Sequence, residues 1–419
     1  MAEPDPAPQF SAAPERWAGI GFPEFVTLSA AIIALGALGI DMMLPALPAI
    51  GQALGAATPA DWPLVITAFT LGFGIAQPVH GPLADRYGRR PVLLWSIGIY
   101  VATNLIATAS GSFVLMLAAR FVGGLAVAAT RVVSVALIRD LHSGRAMAKV
   151  SSLVFMTFMI VPVIAPAIGQ ATLLIGSWRL IFGAIAVVSL IVGVWFAVRM
   201  PETLAAGARV PLNPAALAAS WRRVLSDRQS VGYTIASTAM LGALYGYLNT
   251  IQGIVDRVFH RPGKLAVVFS AAAVLMAGAN LLNSRIVMRY GTRRLSQSAL
   301  VVLIGASLTA LAAEASGNES LVVFTVLQAI TMATFGLAGS NFSAMAMENM
   351  GAIAGTASSV QGFVSVTAGA LLGVVVARAF DGTTTALHTA FLIAGLVAFG
   401  AVAVVERGRL FTPTQVASG

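Results

Sequence analysis

Twelve apolar segments, each long enough to form a helix that crosses a membrane, constrain this chain more than any other feature. The 419-residue sequence is 58% hydrophobic and 10% charged, whereas soluble domains carry roughly 25% charged residues. A helix needs about 20 apolar residues to cross a bilayer core. We therefore predict an all-α membrane protein with twelve transmembrane helices. The segments lie near 25–52, 62–83, 91–110, 112–137, 150–173, 179–199, 230–254, 265–288, 296–314, 319–346, 354–379 and 385–405.

The positive charges predict the orientation of these segments. Eighteen of the 25 Lys and Arg residues lie in the tails, in the links that follow even-numbered segments or at the segment ends beside them. Five lie in or beside the opposite links, and two, Arg120 and Arg131, lie well inside a segment. Links rich in Lys and Arg stay in the cytoplasm, so both termini are predicted to be cytoplasmic. The net charge of +9 then reports topology and does not indicate a nucleic-acid surface.

A short internal repeat divides the chain into two halves. The link "LADRYGRRPV" (83–92) is echoed by "IVMRYGTRRL" (286–295), so Arg86 and Arg289 are 203 positions apart. Such a repeat predicts two pseudo-symmetric six-helix halves with alternating access between them. The predicted regions are a disordered cytoplasmic tail (1–23), an N-terminal half (24–199), a cytoplasmic linker (200–229), a C-terminal half (230–408) and a C-terminal tail (409–419).

The first copy of the repeat, "GPLADRYGRRPV" (81–92), has the residues of a structured loop. Gly81 is predicted to allow close helix approach, and Gly88 is predicted to allow the turn. Arg86, Arg89 and Arg90 are predicted to hold the loop at the membrane interface. In an alternative interpretation these arginines serve only as topology anchors.

This stretch resembles the signature loop of the major facilitator superfamily. The resemblance implies the major facilitator fold, with the loop as a cytoplasmic gate. In that family the acid of the loop, here Asp85, lies against the N-terminus of a helix from the other half. The expected partner is "GTASS" (355–359), because helix N-termini favour a carboxylate. The second copy has Met288 in place of the acid.

Further stretches resemble the bicyclomycin-resistance-like branch of drug/proton antiporters. They are "IDMMLPALPAI" (40–50), "RFVGGLAVAATRVVSVALIRDL" (120–141), "VPVIAPAIGQ" (161–170), "NSRIVMRYG" (283–291) and "MGAIAGTASSVQG" (350–362). The resemblance implies an antiporter bend in the fifth segment at Pro162, Pro166 and Gly169. Gln170 stands where the family motif has its last glycine.

Asp41 is the only charged residue between Phe25 and Ala60. An ionisable group inside a span costs at least about 2.5–3.5 kcal/mol and marks function by default. Arg120 is the first residue of "RFVGG" (120–124), which resembles a motif of the family. In the family, the arginine of that motif is linked to proton coupling. Burial disfavours a charged acid and a nearby arginine favours it. Asp41 and Arg120 are therefore predicted to couple protons to substrate, or alternatively to form a structural ion pair between the first and fourth segments.

The predicted substrate cavity consists of Asp41, Arg131, Tyr245 and Asn249. Aromatic faces and a few polar groups suit varied amphipathic ligands. Arg131 lies eleven residues after Arg120, close to three helical turns, so both project from one face. It is interpreted either as an attractant for anionic or zwitterionic substrates or as a side chain that extends toward the cytoplasmic end.

The sequence lacks the residues that an ATP-driven pump or an enzyme would require. The two lysines, Lys149 and Lys264, lie in no phosphate-binding loop of an ATP-driven pump. No nucleophile–base set or metal cluster predicts an enzyme. We expect a monomeric, multi-pass exporter of small amphipathic drugs in the bacterial inner membrane, which confers antibiotic resistance, exchanges substrate for protons and needs no cofactor. The alternative is a proton-coupled exporter or importer of one specific metabolite on the same fold.

Overall fold

The computed structural model describes residues 16–17, 20–142, 144–204, 207, 209, 214–350 and 353–411. These residues are almost entirely helical. The helices are α1 (Phe22–Asp41), α2 (Leu47–Ala53), α3 (Leu64–Tyr87), α4 (Arg89–Ala109), α5 (Phe113–Leu141), α6 (Gly144–Ile175), α7 (Arg179–Arg199), α8 (Pro214–Ser226), α9 (Arg228–Gly253), α10 (Leu265–Tyr290), α11 (Thr292–Ala315), α12 (Leu321–Met347), α13 (Ala354–Arg378) and α14 (Thr385–Val405).

Within the described residues, ten helical segments are long and apolar enough to cross a membrane. They contain α1, α3, α4, α5, α7 and α10–α14. Two more helices are equally long, since α6 has 32 residues and α9 has 26. The prediction of exactly twelve spans therefore stays a prediction, as do the cytoplasmic termini and the region boundaries.

The beginning of the chain differs from the predicted tail. Two short antiparallel strands, β1 (Arg16–Trp17) and β2 (Ile20–Gly21), precede α1. Helix α1 then starts at Phe22, with Pro23 in its first turn, where a proline loses no helical hydrogen bond. Residues 1–15 and 412–419 of the two predicted tails lie outside the described residues. The predicted linker also contains a helix, α8, which packs against α13.

The first half is built around the contact between α3 and α5, which run in the same direction. A Cβ atom on Gly72 would collide with the backbone carbonyl of Phe121, and one on Gly124 would collide with that of Phe69. Only glycine permits backbones to approach so closely, and small residues at helix interfaces are the usual device in membranes. Helices α3 and α5 therefore pack as one unit, with α4 and α7 beside them.

The two halves share the turn that the repeat predicts. Gly88 separates α3 from α4 with φ +106°, and Gly291 separates α10 from α11 with φ +82°. A positive φ is strained for other residues, so both copies need glycine at this point. In the second half, Gly336 on α12 lies against the carbonyl of Met276 on α10. These two helices are therefore packed as tightly as their counterparts α5 and α3.

The halves meet along α3 and α13, which run in opposite directions. Gly74 lies against Thr367, and Gly362 lies against the amide of Gln77. A second seam joins α6 to α10, where the Ser270 hydroxyl donates a 2.7 Å hydrogen bond to the Val163 carbonyl.

We name the two ends of the bundle by their links. The end with the α3–α4, α5–α6 and α10–α11 links is the arginine-rich end, and the other is the opposite end. At the opposite end Asp61 lies 3.9 Å from Arg378, and the Arg257 guanidinium lies 5.2 Å from the Trp62 ring centre. Both contacts join the two halves.

Candidate functional site: a buried acid at a helix break

The first predicted span is interrupted directly after Asp41. Helix α1 ends there, a short 3₁₀ turn follows at Leu44–Ala46, and α2 begins at Leu47. Pro45 and Pro48 lie in the two new helical turns, and a proline has no N–H to continue a helix. Broken helices of this kind form binding sites inside membrane transporters. Because of the break, Asp41 is the last residue of α1 and does not lie in the middle of a continuous helix.

Asp41 is buried, with a relative exposure of 5%. No described residue forms an ion pair or a hydrogen bond with its carboxyl group. The phenol of Tyr247 on α9 lies within electrostatic range, and its hydroxyl is buried without a hydrogen-bond partner. Tyr247 belongs to the other half of the molecule, so the acid lies near the boundary between the halves.

The proline-rich part of α6 packs on the same break. A Cβ atom on Gly169 would collide with the backbone carbonyl of Met42, the residue that follows Asp41. Pro162 and Pro166 lie inside α6, two turns and one turn before Gly169, respectively. The structure thus brings the predicted antiporter bend and the buried acid together.

Arg120 approaches the same region but binds carbonyl groups. Its Nη2 donates a 2.5 Å hydrogen bond to Gly39 of α1, and its Nε donates one of 3.4 Å to Val65 of α3. The guanidinium carbon lies 4.1 Å from the Phe69 ring centre and 5.6 Å from that of Phe182. The alternative prediction, a structural ion pair with Asp41, is absent from the residues that the structure describes. Arg120 instead ties three helices together.

Arg131 lies two thirds of the way along α5, and its side chain is exposed. It lies within electrostatic range of Tyr245 on α9, in the other half. An exposed side chain that faces the other half borders a space inside the bundle. Asn249, one turn after Tyr245 on α9, is buried at 6% exposure, and its Oδ1 has no hydrogen-bond partner.

The gate loop is held by Asp85, which the sequence indicated, and by two acids that it did not indicate, Asp140 and Glu202. Arg89 is buried and contacts Asp85 at 2.5 Å and Asp140 at 3.0 Å. Glu202, just after α7, accepts hydrogen bonds from the backbone N–H groups of Arg89 and Arg90 at 3.0 and 3.2 Å. A carboxylate at these positions satisfies the free N–H groups at the start of α4.

The other gate-loop residues have different roles. Arg90 donates a 2.7 Å hydrogen bond to the Ala197 carbonyl of α7, whereas Arg86 is exposed beside Tyr87. Gly81 corrects a prediction, because a Cβ atom there would meet only Val132, at an ordinary 3.9 Å. The close approach of α3 to α5 occurs further from the loop, at Gly72, where the backbone of α5 leaves no room for a Cβ atom.

Asp85 was expected to contact residues 355–359 of α13. Its hydrogen bond goes to Arg89, and no described residue of that stretch bonds to its carboxylate. Residues 351–352 of the preceding link lie outside the described residues. The gate contact itself therefore stays a prediction.

The second half has its own charged cluster at the arginine-rich end. Arg293 lies 3.0 Å from Glu348 and 2.8 Å from Glu406, and the Tyr233 hydroxyl donates a 2.5 Å hydrogen bond to Glu406. Arg293 occupies the same position of the repeat as Arg90. The signal that could have revealed the cluster is the acid after the last helix of each half, Glu202 and Glu406.

Comparison with known proteins agrees with this architecture. The sequence profile described as Major Facilitator Superfamily matches residues 29–374. A bicyclomycin resistance protein homolog of Haemophilus influenzae is 30% identical over 355 residues, which are 83% of this chain and 88% of the relative. Multidrug resistance protein MdtL of Escherichia coli is 28% identical over 349 residues, which are 82% of this chain and 85% of the relative. These matches confirm the resemblance that the motifs indicated.

A solved structure has the same fold. The crystal structure of the human organic anion transporter MFSD10 (TETRAN) superposes with a TM-score of 0.68 at 18% identity. The match covers 90% of this chain and 98% of the human chain. At this identity the likeness concerns the fold alone.

Proposed function

This chain belongs to the major facilitator superfamily, and from that premise we propose that it exports small amphipathic compounds in exchange for protons. Members of the family are multi-pass membrane transporters of small molecules and not enzymes. We further propose twelve spans with both termini in the cytoplasm of a bacterial inner membrane. The relatives that are named as resistance proteins support drugs as the substrate class and export as the direction of transport.

The observation that carries the proposal is the carboxyl group of Asp41. It is buried at a helix break, and no described cation compensates it. An isolated buried carboxylate is costly, and a bound proton removes that cost. Arg120 does not compensate the acid in this conformation: it forms no ion pair with Asp41 among the described residues, and its Nε and Nη2 donate to carbonyl oxygens.

Exchange follows if substrate and proton compete for this acid. When the cavity is filled from the cytoplasm, a substrate donor replaces the proton at Asp41. When the cavity opens to the other side, a proton displaces the substrate. The proton gradient then drives export without a cofactor, and the membrane potential contributes about 2.3 kcal/mol per charge per 100 mV.

The contacts between the halves support alternating access. At the opposite end, Trp62 and Arg257 lie together beside the Asp61–Arg378 pair. The Arg89 cluster and the Arg293 cluster lie at the arginine-rich end, one in each half. We propose that these ends open in turn while the Asp41 region stays between them.

The first experiment is a growth screen against a chemically diverse panel of antibacterial compounds. Cells that express the protein should resist at least one amphipathic compound better than empty-vector cells, and a protonophore should abolish its reduced accumulation. Reduced accumulation that survives the protonophore would contradict proton coupling. Increased accumulation would instead support the importer.

The second experiment tests the acid directly. Purified protein is reconstituted in liposomes that contain a pH-sensitive dye, and a compound from the screen is added. Wild type should release protons when substrate is added, whereas Asp41→Asn should release none. Glu314→Gln, which changes an acid at the opposite end, is the matched control. Unchanged proton release by Asp41→Asn would contradict the role of the acid.

A further inference from the structure

Arg131 is an exposed cation well inside the span that α5 forms, about ten residues before the end of that helix. No described residue forms a hydrogen bond or an ion pair with its guanidinium. Arg120, on the same face of the same helix, is buried at 2% exposure and bound to two carbonyl oxygens. Of these two arginines of α5, Arg120 is therefore used by the fold and Arg131 is left available.

The directions of the helices explain why Arg131 faces Tyr245. Helix α5 runs parallel to α3, since Gly72 meets Phe121 early in both helices and Gly81 meets Val132 later in both. Helix α9 runs parallel to α13, and α13 runs opposite to α3. Long side chains lean toward the N-terminus of their own helix. Arg131 lies nearer the arginine-rich end and Tyr245 nearer the opposite end, so on these antiparallel helices the two side chains lean toward each other.

The space between them is accessible, because Arg131 is exposed although it faces another helix. No hydrogen bond joins the two described side chains, so their N–H and O–H donors point into a common space. A guanidinium offers five donors and no acceptor, and a phenol adds one more. The complementary ligand group is an anion with two or more acceptor oxygens.

We propose that Arg131 and Tyr245 bind the anionic group of the substrate, so that the cavity prefers amphipathic carboxylates or sulfonates over matched neutral or cationic compounds. This inference rests on the proposed function only in taking the cavity as the substrate site. Arg131 binds the two oxygens side by side, which is the geometry that a guanidinium favours. Tyr245 donates a hydrogen bond from its hydroxyl group to the anion, and its ring packs against the apolar part of the substrate.

Binding of three dansyl compounds to the purified, detergent-solubilised protein tests this proposal. Dansylglycine is an anion, dansylamide is neutral and dansylcadaverine is a cation, and all three carry the same fluorophore. Fluorescence titration should show that wild type binds dansylglycine at least about tenfold more tightly than the other two. Because the titration is an equilibrium measurement without a proton gradient, it gives the same answer whether or not transport is coupled to protons.

The variants separate recognition from folding. Arg131→Ala should weaken dansylglycine about tenfold to a hundredfold and leave dansylamide within about twofold. Arg131→Lys should retain part of the preference, because a lysine keeps the charge but loses the paired donors. Tyr245→Phe should weaken dansylglycine less than Arg131→Ala does. Arg223→Ala, an exposed arginine of α8, is the control and should behave as wild type.

Three outcomes would overturn the proposal. One is unchanged dansylglycine affinity in Arg131→Ala, and another is an equal loss for all three compounds in a variant that elutes as a monodisperse peak. The third is wild-type protein that binds the cationic or neutral compound as tightly as the anion, or that binds no dansylglycine saturably. If anion preference holds while proton release fails in liposomes, the proposed coupling is wrong and this inference stands.

Discussion

The guanidinium of Arg120 donates a 2.5 Å hydrogen bond to the backbone carbonyl of Gly39, two residues before the buried acid. A carbonyl near the end of α1 has no N–H partner further along the helix, because the helix stops at Asp41. Arg120 therefore supplies a hydrogen-bond donor to a carbonyl group that the helix break leaves without one. In this conformation Arg120 braces the end of α1 and forms no ion pair with the acid among the described residues.

We predict that Arg120→Ala destabilises the protein and abolishes transport. The substitution leaves the buried carbonyl of Gly39 without its donor, at about 1–3 kcal/mol for an unsatisfied group, whereas the Val65 carbonyl keeps its hydrogen bond within α3. Arg120→Lys should recover only part of the stability, because an ammonium cannot reproduce the two directed bonds and the ring contacts. Thermal unfolding of the purified variants, followed by size-exclusion chromatography, measures this order. Equal stability of Arg120→Ala and wild type would contradict the bracing role.

The gate loop gives a second prediction. Glu202→Ala removes the acceptor for the N–H groups of Arg89 and Arg90, so the start of α4 loses its cap. We expect a loss of about 0.5–2 kcal/mol, as for other N-terminal caps. Glu202→Gln keeps one acceptor oxygen and should lie between Glu202→Ala and wild type. Thermal melting of the three proteins tests the order, and a Glu202→Gln protein that is less stable than Glu202→Ala would contradict it.

The packing of α3 on α5 gives a third prediction. Gly124→Ala places a methyl group against the carbonyl of Phe69, and neither backbone can yield without moving its helix. Overpacking of this kind costs about 1–3 kcal/mol. Gly98→Ala is the matched control, because a Cβ atom there meets nothing within 4 Å and alanine favours the helix. Melting temperatures should fall for Gly124→Ala and stay or rise for Gly98→Ala.

A buried pair at the opposite end gives a fourth prediction. His388 of α14 lies 2.7 Å from Glu319, and the two side chains are 3% and 6% exposed. The Thr384 hydroxyl also donates a hydrogen bond to Glu319. His388→Leu leaves one carboxylate oxygen without its partner and should cost about 1–3 kcal/mol. Glu319→Gln keeps an acceptor for the imidazole and should cost less, which denaturation of both variants can check.

The sequence predicted the helices well because apolar length is a strong signal in a membrane protein. It did not predict the break after Asp41, since residues 25–52 form one apolar run. Pro45 and Pro48 were visible signals, but prolines also occur inside intact membrane helices, as Pro78 and Pro82 do in α3. Whether a proline ends a helix depends on the neighbours that satisfy the backbone.

The site was predicted in its chemistry but not in its contacts. Asp41 and Arg120 were indicated by their charge inside an apolar run, yet the bond from Arg120 to a carbonyl depends on where α1 ends. Glu202, in a polar link, and Asp140, in the last turn of α5, were missed because an acid at the end of a span has no distinctive sequence pattern. Their importance comes from the fold, which brings them to Arg89 across more than fifty residues of sequence.

The contacts of α3 determine how one half can move against the other. On one side its backbone is in close contact with that of α5 at Gly72. A sliding movement of α3 along α5 would therefore cause a clash between the two main chains. On the other side it meets α13 through Gln77 and Thr367, and each of these residues has a buried polar atom with no hydrogen-bond partner. Because this amide and this hydroxyl can form new hydrogen bonds, we expect the boundary between α3 and α13 to slide during transport, with α3 and α5 moving together as one rigid unit.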